Sequence, residues 1–435
     1  LIPLGARVTV GHSGDNLEHN GQLPAVVVVS TAIDEKNPEV ARAHELGIPV
    51  VSRATALAEI MQAHSTISVA GTHGKTTTTS MTTVVLQSAG LDPSFVIGSE
   101  LNESGSNAHL GTGQWMVVEA DESDGTFLML PTNVAIVTNV EADHLNYWSD
   151  YQAIEDAFVD FVVNTSQRGG FAVVCGDDKG AAVVADRARA QGARVITYGV
   201  QPTNNAVITL LESQATHSDG AGLSPARAGQ SFTVTHDGQT SHVIALQVPG
   251  THNALNATAA YLAARGIEVE DAACVAGLAR FSGTHRRFEF RGEVNGIRVF
   301  DDYAHHPTEI DAVLRAARNV AGDGRIVVAF QAHHYYRTAM FTQEFGQALG
   351  LADYVVVLEV FAPGETPIPG ASGSTMASHV PLDAGSVVFE PSWSAVPALL
   401  ANAARPGDII MTLGAGDIGM MCPEVLQILR GGHES

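Results

Sequence analysis

Short apolar runs alternate with longer stretches of helical spacing along most of the chain. Residues 115–119, 134–138 and 171–175 are apolar runs with the length of buried strands. Residues 151–163, which follow the second of these runs, have the spacing and length of a helix. Strands that alternate with helices of this length are typical of parallel sheets. The pattern therefore predicts an α/β fold with doubly wound sheets.

The alternation restarts twice, which predicts three domains. Residues 1–64 resemble the remainder of a βαβ, Rossmann-like domain, and we expect it to be incomplete because the sequence opens without methionine. Residues 65–285 form the predicted central domain, of the P-loop ATPase type. Within it, short β runs between 203 and 249, separated by turn residues, predict a small antiparallel excursion. Residues 286–435 repeat the alternation and predict a second Rossmann-like domain.

Composition narrows the class of protein and its surroundings. The 435 residues carry 23 Lys and Arg against 46 Asp and Glu, a net charge of -23, which argues against a nucleic-acid partner. No apolar run approaches the length of a membrane span, so we expect no membrane insertion. Three widely spaced cysteines suggest neither a disulfide framework nor a zinc site and fit a reducing cytoplasm. The composition leaves a monomer and a homodimer equally open.

The most informative segment is 66–79, which reads as a buried strand, a glycine turn and a helix start. Backbone N–H groups at such a turn can bind phosphate, Lys75 can reach the β- and γ-phosphates, and the Thr76 hydroxyl can bind Mg²⁺. Val69 stands where the general P-loop has a glycine, so an ordinary strand-to-helix turn is the alternative. Under the nucleotide hypothesis, the contacting residues are Gly71, Thr72, His73, Gly74, Lys75, Thr76 and Thr77.

Two further strand ends carry candidate metal ligands. Glu119 closes a strand and should face the same crevice as the glycine turn, which predicts a Mg²⁺ ligand. Asp121, Glu122 and Asp124 follow it, and each is as compatible with a solvated acidic loop as with a role at the site. His144 follows the next strand and is a candidate for a second metal, although Mg²⁺ prefers oxygen ligands.

Later polar segments are candidates for nucleotide and substrate contacts. His252, Asn253 and Asn256 open a helix and could contact a purine or ribose, although Asn253 fits equally well as an N-cap. Residues 301–307 lie at a strand-to-helix junction that ends in Pro307 and favour a substrate role, with a capped turn as the alternative. Arg337 could bind a carboxylate or phosphate. Arg286 and Arg287 are comparable candidates, and the alternative for all three arginines is a surface role.

These segments, in this order, resemble the Mur ligase family over essentially the whole chain. The resemblance rests on Gly-Thr-His-Gly-Lys-Thr-Thr-Thr-Thr at 71–79, Glu-Ala-Asp-Glu-Ser-Asp at 119–124, Thr-Asn-Val-Glu-Ala-Asp-His at 138–144 and Asp-Asp-Tyr-Ala-His-His-Pro-Thr-Glu at 301–309. Gly414 to Ile418 also resembles the closing motif of the family. Together these motifs are far more specific than any one of them.

The resemblance implies an N-terminal domain for a UDP-sugar, a central ATPase and a C-terminal domain for an amino acid. It implies that ATP, with Mg²⁺, phosphorylates the muramoyl carboxylate of UDP-N-acetylmuramate and that the amine of L-alanine attacks the acyl phosphate. The alternatives are a recycling ligase that attaches a whole tripeptide and a nucleotide-binding regulatory relative without turnover. The expected partners are thus small molecules.

Carried over by position, the resemblance gives each candidate residue a role. It implies catalytic roles for Lys75, Glu119, His144 and His305. It implies that Thr76, Glu119 and His144 bind the metal. Nucleotide contacts extend from the glycine turn to Asn139, His252, Asn253, Asn256 and Arg287. Substrate contacts fall to Arg286, Tyr303, His305 and Arg337.

Three departures from the family pattern qualify these roles. No lysine lies between Lys75 and Lys179, so the carbamylated lysine of many relatives has no counterpart here. His334 stands where some relatives have arginine. The glycine-rich loop that relatives carry in the N-terminal domain is missing, so the UDP contacts are not assigned.

Overall fold

The computed structural model describes residues 5–30, 33–101, 105–145, 147–211 and 229–431. Its helices and strands form three sheets with helices packed against them, which confirms the predicted α/β class. None of the helices within these ranges is both long enough and apolar enough to cross a membrane.

The N-terminal region is a small parallel β-α-β unit. Its elements are β1 (Val27–Val29), α1 (Pro38–Leu46), β2 (Val50–Ser52) and α2 (Arg53–Met61), preceded by a 3₁₀ turn (Gly14–Leu17). Helix α1 begins at a proline and ends at Gly47, whose φ of 69° is the left-handed C-cap expected from the sequence. The alternating valines of residues 7–10 predict a strand, which is wrong, since those residues lie outside every strand and Val10 is fully exposed. Within the described residues no neighbouring strand pairs with this run, and without one its side chains have no sheet face to pack on.

The central domain is built on one large sheet. Its first half contains β3 (Ser65–Ala70), α3 (Lys75–Ser88), β4 (Ser94–Leu101), β5 (Ser106–His109), β6 (Trp115–Glu119), a 3₁₀ turn (Thr126–Met129), β7 (Val134–Val137), α4 (Tyr151–Gln167) and β8 (Phe171–Cys175). Its second half contains α5 (Lys179–Ala190), β9 (Val195–Gly199), β10 (Ala206–Leu210), β11 (Ser231–His236), β12 (Gln239–Thr240), β13 (Ile244–Ala245), α6 (Thr251–Gly266) and α7 (Asp271–Arg280).

The strand order of this sheet places the glycine turn at its centre. The order is β12-β11-β10-β9-β8-β7-β3-β6-β4-β5, with β13 paired to β11. Strand β3 lies between β6 and β7, and all three run parallel, so their carboxyl ends meet at one edge. The antiparallel excursion is confirmed, because β11 pairs antiparallel with β10, β12 and β13. Two separate apolar clusters bury the two faces of the sheet.

The C-terminal domain has a six-stranded sheet in the order β14-β15-β19-β16-β17-β18. All neighbouring strands are parallel except β14, which runs antiparallel to β15. Its elements are β14 (Glu289–Val294), β15 (Ile297–Asp302), α8 (Pro307–Ala321), β16 (Ile326–Phe330), α9 (Tyr335–Leu349), β17 (Tyr354–Val357), α10 (Gly373–Ala377), β18 (Val387–Phe389), a 3₁₀ turn (Trp393–Ala395), α11 (Val396–Ala403), β19 (Ile409–Leu413), a second 3₁₀ turn (Asp417–Met421) and α12 (Cys422–Gly431). The loops that follow β15 and β16 face the central domain, where Arg337 of α9 contacts Asp143.

Candidate active site

The glycine turn joins β3 to α3 with a backbone shape that only glycine accommodates. Gly71 has a φ of 134°, and a Cβ atom there would lie 2.1 Å from Thr138 Oγ1. Gly74 precedes α3 with a φ of 80°, and no side chain caps the helix. The first N–H groups of α3 are therefore free to bind an anion, as a phosphate-binding loop requires.

Asn139 holds this loop in place from the end of β7. Its Oδ1 accepts a hydrogen bond from His73 N (2.7 Å), and its Nδ2 donates to His73 O (3.0 Å). The Asn139 carbonyl accepts from Thr72 N (3.1 Å), and Thr138 Oγ1 donates to His73 O (2.6 Å). Asn139, expected to contact the nucleotide, therefore also fixes the backbone of the loop that would bind it.

Lys75, the first residue of α3, is paired with a carboxylate that the sequence left ambiguous. Its Nζ donates to both carboxylate oxygens of Glu122 (2.8 and 3.0 Å) and to Gly71 O (2.7 Å). Burial alone would lower the pKa of Lys75, but Glu122, Asp121 and Glu119 together raise it, so the ammonium stays charged. The side chain of Glu122 is 3% exposed, so the solvated-loop alternative is wrong for this residue. Lys75 is also one of only three lysines in the 435 residues.

Thr76 and Glu119 form an oxygen-rich pair beside the loop. Thr76 Oγ1 donates to Glu119 Oε1 (3.0 Å), and Glu119 Oε2 accepts from Gly98 N (2.8 Å). A hydroxyl and a carboxylate at the start of a phosphate-binding helix are the kinds of ligand that Mg²⁺ prefers. The donor set of these two residues therefore fits a magnesium ion bound together with phosphate.

His144 lies at the same edge but turns toward different carboxylates. Its backbone is left-handed (φ 53°), and its Nε2 lies 3.9 Å from Glu122 Oε1 and 3.7 Å from Asp143 Oδ2. Asp143 in turn accepts two hydrogen bonds from Arg337 of the C-terminal domain (3.0 and 3.1 Å). Burial would raise the pKa of Asp143, but Arg337 and His144 outweigh it and lower that pKa to about 2. Sequence reasoning places Asp143 among the polar groups that follow this strand but gives it no role.

A cavity that is partly open to solvent lies between the loop and the C-terminal domain. It brings together eight of the predicted nucleotide-contacting residues: His73, Gly74, Thr77, Asn139, His252, Asn253, Asn256 and Arg287. Apolar side chains, among them Phe281 and Val248, line the rest of its wall. An apolar wall with a few polar groups and a phosphate loop at one end suits a nucleoside.

Asn253 and His252 both line the cavity, but only Asn253 has its side chain hydrogen-bonded to the protein backbone. Asn253 is not the N-cap, because Gly250 holds that position, but its Nδ2 donates a hydrogen bond to Pro249 O (2.7 Å) just before the helix. Burial, reinforced by the positive charge of Arg287, lowers the pKa of His252 to about 4. At neutral pH the His252 ring is therefore uncharged and can contact a purine without the cost of a buried charge.

Three of the predicted residues, Arg286, Arg287 and His305, surround the ring of Tyr303 in the C-terminal domain. The guanidinium groups of Arg286 and Arg287 lie 5.1 and 5.3 Å from the centre of the Tyr303 ring, and His305 packs edge-on against it at 5.3 Å. His305 Nδ1 lies 3.2 Å from Glu309, but burial dominates and lowers its pKa to about 4.

Arg286 makes its hydrogen bonds inside the C-terminal domain. It donates to Asp301 Oδ2 (2.8 Å), Gly414 O (2.7 Å) and Gly416 O (2.6 Å). These bonds tie the end of β15 to the loop after β19. Its substrate role stays a prediction, and the structure gives this side chain an additional supporting one.

Glu141 and Glu309, to which sequence reasoning also gives no role, face each other across His73. His73 Nε2 lies 3.5 Å from Glu141 Oε2, and its Nδ1 lies 3.2 Å from Glu309 Oε1. Burial would lower the pKa of His73, but the two carboxylates raise it to about 9. The only sequence signal for Glu309 was its place three residues after a helix start, where acidic residues cap helices.

Three family models match consecutive parts of the chain. The Mur ligase family catalytic domain matches residues 1–65, the Mur ligase middle domain matches 69–264, and the Mur ligase glutamate ligase domain matches 286–416. These matched ranges cover most of the sequence.

Two relatives that match nearly the whole chain share one name. The chain is 54% identical to a UDP-N-acetylmuramate–L-alanine ligase of Acidothermus cellulolyticus, over 99% of this chain and 87% of that protein. It is 49% identical to the ligase of the same name from Saccharopolyspora erythraea, over 97% of this chain and 84% of that protein.

Solved structures agree on the fold. The UDP-N-acetylmuramate-alanine ligase of Thermotoga maritima matches with a TM-score of 0.78 and 27% identity, covering 99% of this chain and 90% of that one. A MurF ligase of the same organism, solved in complex with ADP, matches with a TM-score of 0.68 at 16% identity, covering 93% of this chain and 95% of that one, a likeness of fold alone.

Proposed function

Because the chain belongs to the Mur ligase family, we propose that it is an ATP-dependent ligase that joins L-alanine to UDP-N-acetylmuramate, in peptidoglycan precursor synthesis. The observation that carries this proposal is the meeting of two unlike surfaces across one cavity. The loop that precedes Lys75 contributes His73 and Gly74 to this cavity, and the segment that carries Tyr303 and His305 contributes Asp302 and Thr308 at its two ends. An ATP-driven condensation needs this combination of a phosphoryl donor site and a separate acceptor site.

The chemistry explains why the phosphate loop is needed. A carboxylate is a poor electrophile, so one muramoyl carboxylate oxygen first bonds to the γ-phosphorus of ATP, and the bond from that phosphorus to the ADP oxygen breaks. The amine of L-alanine then attacks the acyl carbon, the bond to phosphate breaks, and the amine loses its proton. In the first step Lys75 and the N–H groups of α3 neutralise the charge on the phosphoryl oxygens.

Thr76 and Glu119 are the residues that would hold the ATP-side Mg²⁺, and Glu119 and His144 those that would hold a second. Bound Mg²⁺ supplies charge neutralisation between the phosphates and the attacking carboxylate. Glu122, which pairs with Lys75 and lies 3.9 Å from His144, keeps both side chains at this edge.

The nucleoside of ATP fits the cavity beside the loop. His252, Asn253, Asn256 and Arg287 would contact its base and ribose, and the α3 N-terminus would contact its phosphates. On the acceptor side we assign Arg286, Tyr303, His305 and Arg337 to the incoming amino acid and the reacting carboxylate.

Three broader assignments belong to the same proposal. The domain limits are 1–64 for the UDP-sugar, 65–285 for ATP and 286–435 for the amino acid. The protein works in the cytoplasm on small molecules, as a monomer or a homodimer. UDP contacts in the first domain are left unassigned.

The proposal is tested by the substrates that support phosphate release. Purified protein is incubated with ATP, Mg²⁺ and UDP-N-acetylmuramate, and phosphate is measured with L-alanine, glycine, L-serine or the tripeptide as the acceptor. Release that requires both UDP-N-acetylmuramate and L-alanine supports the proposal. Preference for the tripeptide would instead identify a recycling ligase, and ATP binding without release in any mixture would identify a relative without turnover.

A further inference from the structure

A compact group of two histidines and one glutamate lies beside the cavity, apart from the proposed magnesium ligands. Its members are His73 in the glycine turn, Glu141 after β7 and His306 at the start of α8. Their ligand atoms all lie within 4.8 Å of one another, and no other group of three or more His, Cys, Asp or Glu does so within the described ranges.

The distances within the group are close to those of a metal site. His73 Nε2 and His306 Nδ1 lie 3.5 and 3.6 Å from the same oxygen, Glu141 Oε2. Ligands bound at about 2.0–2.1 Å from a tetrahedral zinc ion are separated from each other by roughly 3.3–3.5 Å. Two of the three ligand-to-ligand distances therefore nearly match, and the third is at most 4.8 Å.

Both rings have a buried nitrogen without a hydrogen bond. His73 is 9% exposed and His306 3%, and the Nε2 atom of each makes no hydrogen bond. At His73 this is the nitrogen that lies 3.5 Å from Glu141, whereas at His306 the nitrogen near Glu141 is Nδ1. His306 Nδ1 accepts only a long hydrogen bond from Thr308 N (3.4 Å). Buried polar atoms without a hydrogen bond are rare in proteins, and a bound ion is one of the few explanations for them.

The surroundings of His73 and Glu141 are those of metal ligands. Glu309 Oε1 lies 3.2 Å from His73 Nδ1, the nitrogen that does not face Glu141. A carboxylate on the far nitrogen of a histidine fixes its tautomer and turns the other nitrogen toward a metal. Glu141 is also held in place, since its Oε2, the oxygen near both histidines, accepts a hydrogen bond from the Thr308 hydroxyl (2.8 Å).

We propose that His73, Glu141 and His306 bind a transition-metal ion of the Zn²⁺ class at a site separate from Thr76, Glu119 and His144. Two imidazoles and a carboxylate suit such an ion, whereas Mg²⁺ requires mainly oxygen ligands. The site joins two domains, because His73 and Glu141 belong to the central domain and His306 to the C-terminal one. A bound ion would hold the C-terminal domain against the phosphate loop.

The test uses Co²⁺ as a spectroscopic probe on the full chain, with Mg²⁺ in excess to occupy the oxygen-rich site. We expect one equivalent of Co²⁺ to bind with the visible absorption of a four- or five-coordinate ion, and Zn²⁺ to displace it. Glu141→Gln and His306→Asn should each weaken Co²⁺ binding by at least about tenfold. Asparagine also caps helices well, so the second variant keeps the start of α8.

Two control variants locate the signal. Glu119→Gln alters the proposed magnesium site, and His285→Asn removes an exposed histidine that lies 2.9 Å from Glu289. Neither should change Co²⁺ affinity. Glu309→Gln, which weakens the support of His73 and the cap of α8, should weaken binding by about 10- to 100-fold.

Two results would overturn the proposal. One is the absence of Co²⁺ binding to the unaltered protein in excess Mg²⁺, which would leave His73 in an ion-pair network with Glu141 and Glu309. The other is binding of equal strength in Glu141→Gln. Cobalt-edge X-ray absorption of the unaltered protein needs no variant, and a spectrum without two imidazole ligands would also contradict the assignment. None of these readouts depends on the proposed ligase activity.

Discussion

Two strand-to-helix junctions face each other across the cavity, and they treat their helix N-termini in opposite ways. At the start of α3, Gly74 leaves the first N–H groups without any side-chain partner. At the start of α8, the His306 side chain accepts from Thr308 N, Pro307 has no N–H, and Glu309 accepts from the backbone of His305 and His306. Both junctions follow a parallel strand at the carboxyl edge of a sheet.

This difference shows that the topology sets where each helix N-terminus lies, whereas the neighbouring side chains determine whether that N-terminus can bind a ligand. The uncapped helix presents free donors and a lysine, so it can take an anion from solution. The capped helix has satisfied its donors internally and presents a carboxylate, Glu309, toward His73 of the first junction. One junction binds the ligand, and the other supplies the charge that orients the loop.

The largest effect should come from removing the cation of the uncapped junction. Lys75→Ala should lower kcat by about 10²- to 10³-fold, the loss that follows removal of one preorganised donor to a developing anion. Lys179→Ala is the matched control, since Lys179 is also the first residue of a helix that follows a strand, but is exposed. Steady-state phosphate release measures both, and near-normal turnover of the first variant would refute the phosphate role.

A second prediction concerns the pH dependence of the cavity between the junctions. The pKa of His252 is lowered to about 4, below that of an unfolded histidine, so the unfolded state binds more protons between about pH 4 and 6.5. Stability should therefore fall as the pH drops through this window, by about 2–3 kcal/mol for this residue alone.

His252→Gln should remove that part of the acid sensitivity. Urea unfolding of both proteins at several pH values measures it, and the difference between them near neutral pH provides the baseline. A difference that stays constant down to pH 4 would contradict the burial of a neutral imidazole.

The backbone of the uncapped junction can be tested with a pair of glycines. Gly74 and Gly90 have left-handed φ values of 80° and 74°, but an added Cβ would lie 2.8 Å from Asn256 Oδ1 at Gly74 and meet nothing within 4 Å at Gly90. Both alanine variants should lose about 1–2 kcal/mol of stability from the backbone alone. Gly74→Ala should lose about 1–3 kcal/mol more from overpacking and should weaken ATP binding. Equal losses would show that the contact with Asn256 is easily relieved.

The smallest effect is expected at the capped junction. Thr308→Val removes the hydrogen bond from Thr308 to Glu141 between the two domains and should cost about 1 kcal/mol. A double-mutant cycle with Glu141→Gln isolates the coupling between the two side chains. A coupling energy of zero would mean that the capped junction does not hold the neighbouring domain through this contact.

The sequence predicted the elements whose pattern is set by burial. Strands β6 and β8 have the predicted bounds, since both are continuous apolar runs buried in the sheet. For helix α9 the sequence pattern predicts a start at 342, whereas the helix begins at Tyr335, because its first turns carry polar and aromatic residues that give no apolar stripe. A kink at Phe341, whose φ of -121° is not helical, further interrupts the period of that helix.

The candidate site was predictable where it depends on strand ends and not where it depends on pairing. Lys75 and Glu119 follow from the position of polar residues after apolar runs. That Glu122 pairs with Lys75, and Arg337 with Asp143, depends on how loops and domains meet, which no local pattern specifies. Glu309 is the clearest case, since its sequence position accounts for the helix cap but not for its contact with His73.

Because lysine is scarce in this chain, the labelling rate of Lys75 itself can be followed in a chemical-labelling experiment. Lys36 and Lys179 are exposed, whereas the side chain of Lys75 is 14% exposed and paired with Glu122. An amine-acylating reagent thus has three side-chain targets in the whole chain, and mass spectrometry can follow each one separately. The rate at Lys75, divided by the rate at the two exposed amines, then measures how often its ion pair opens, without any introduced probe.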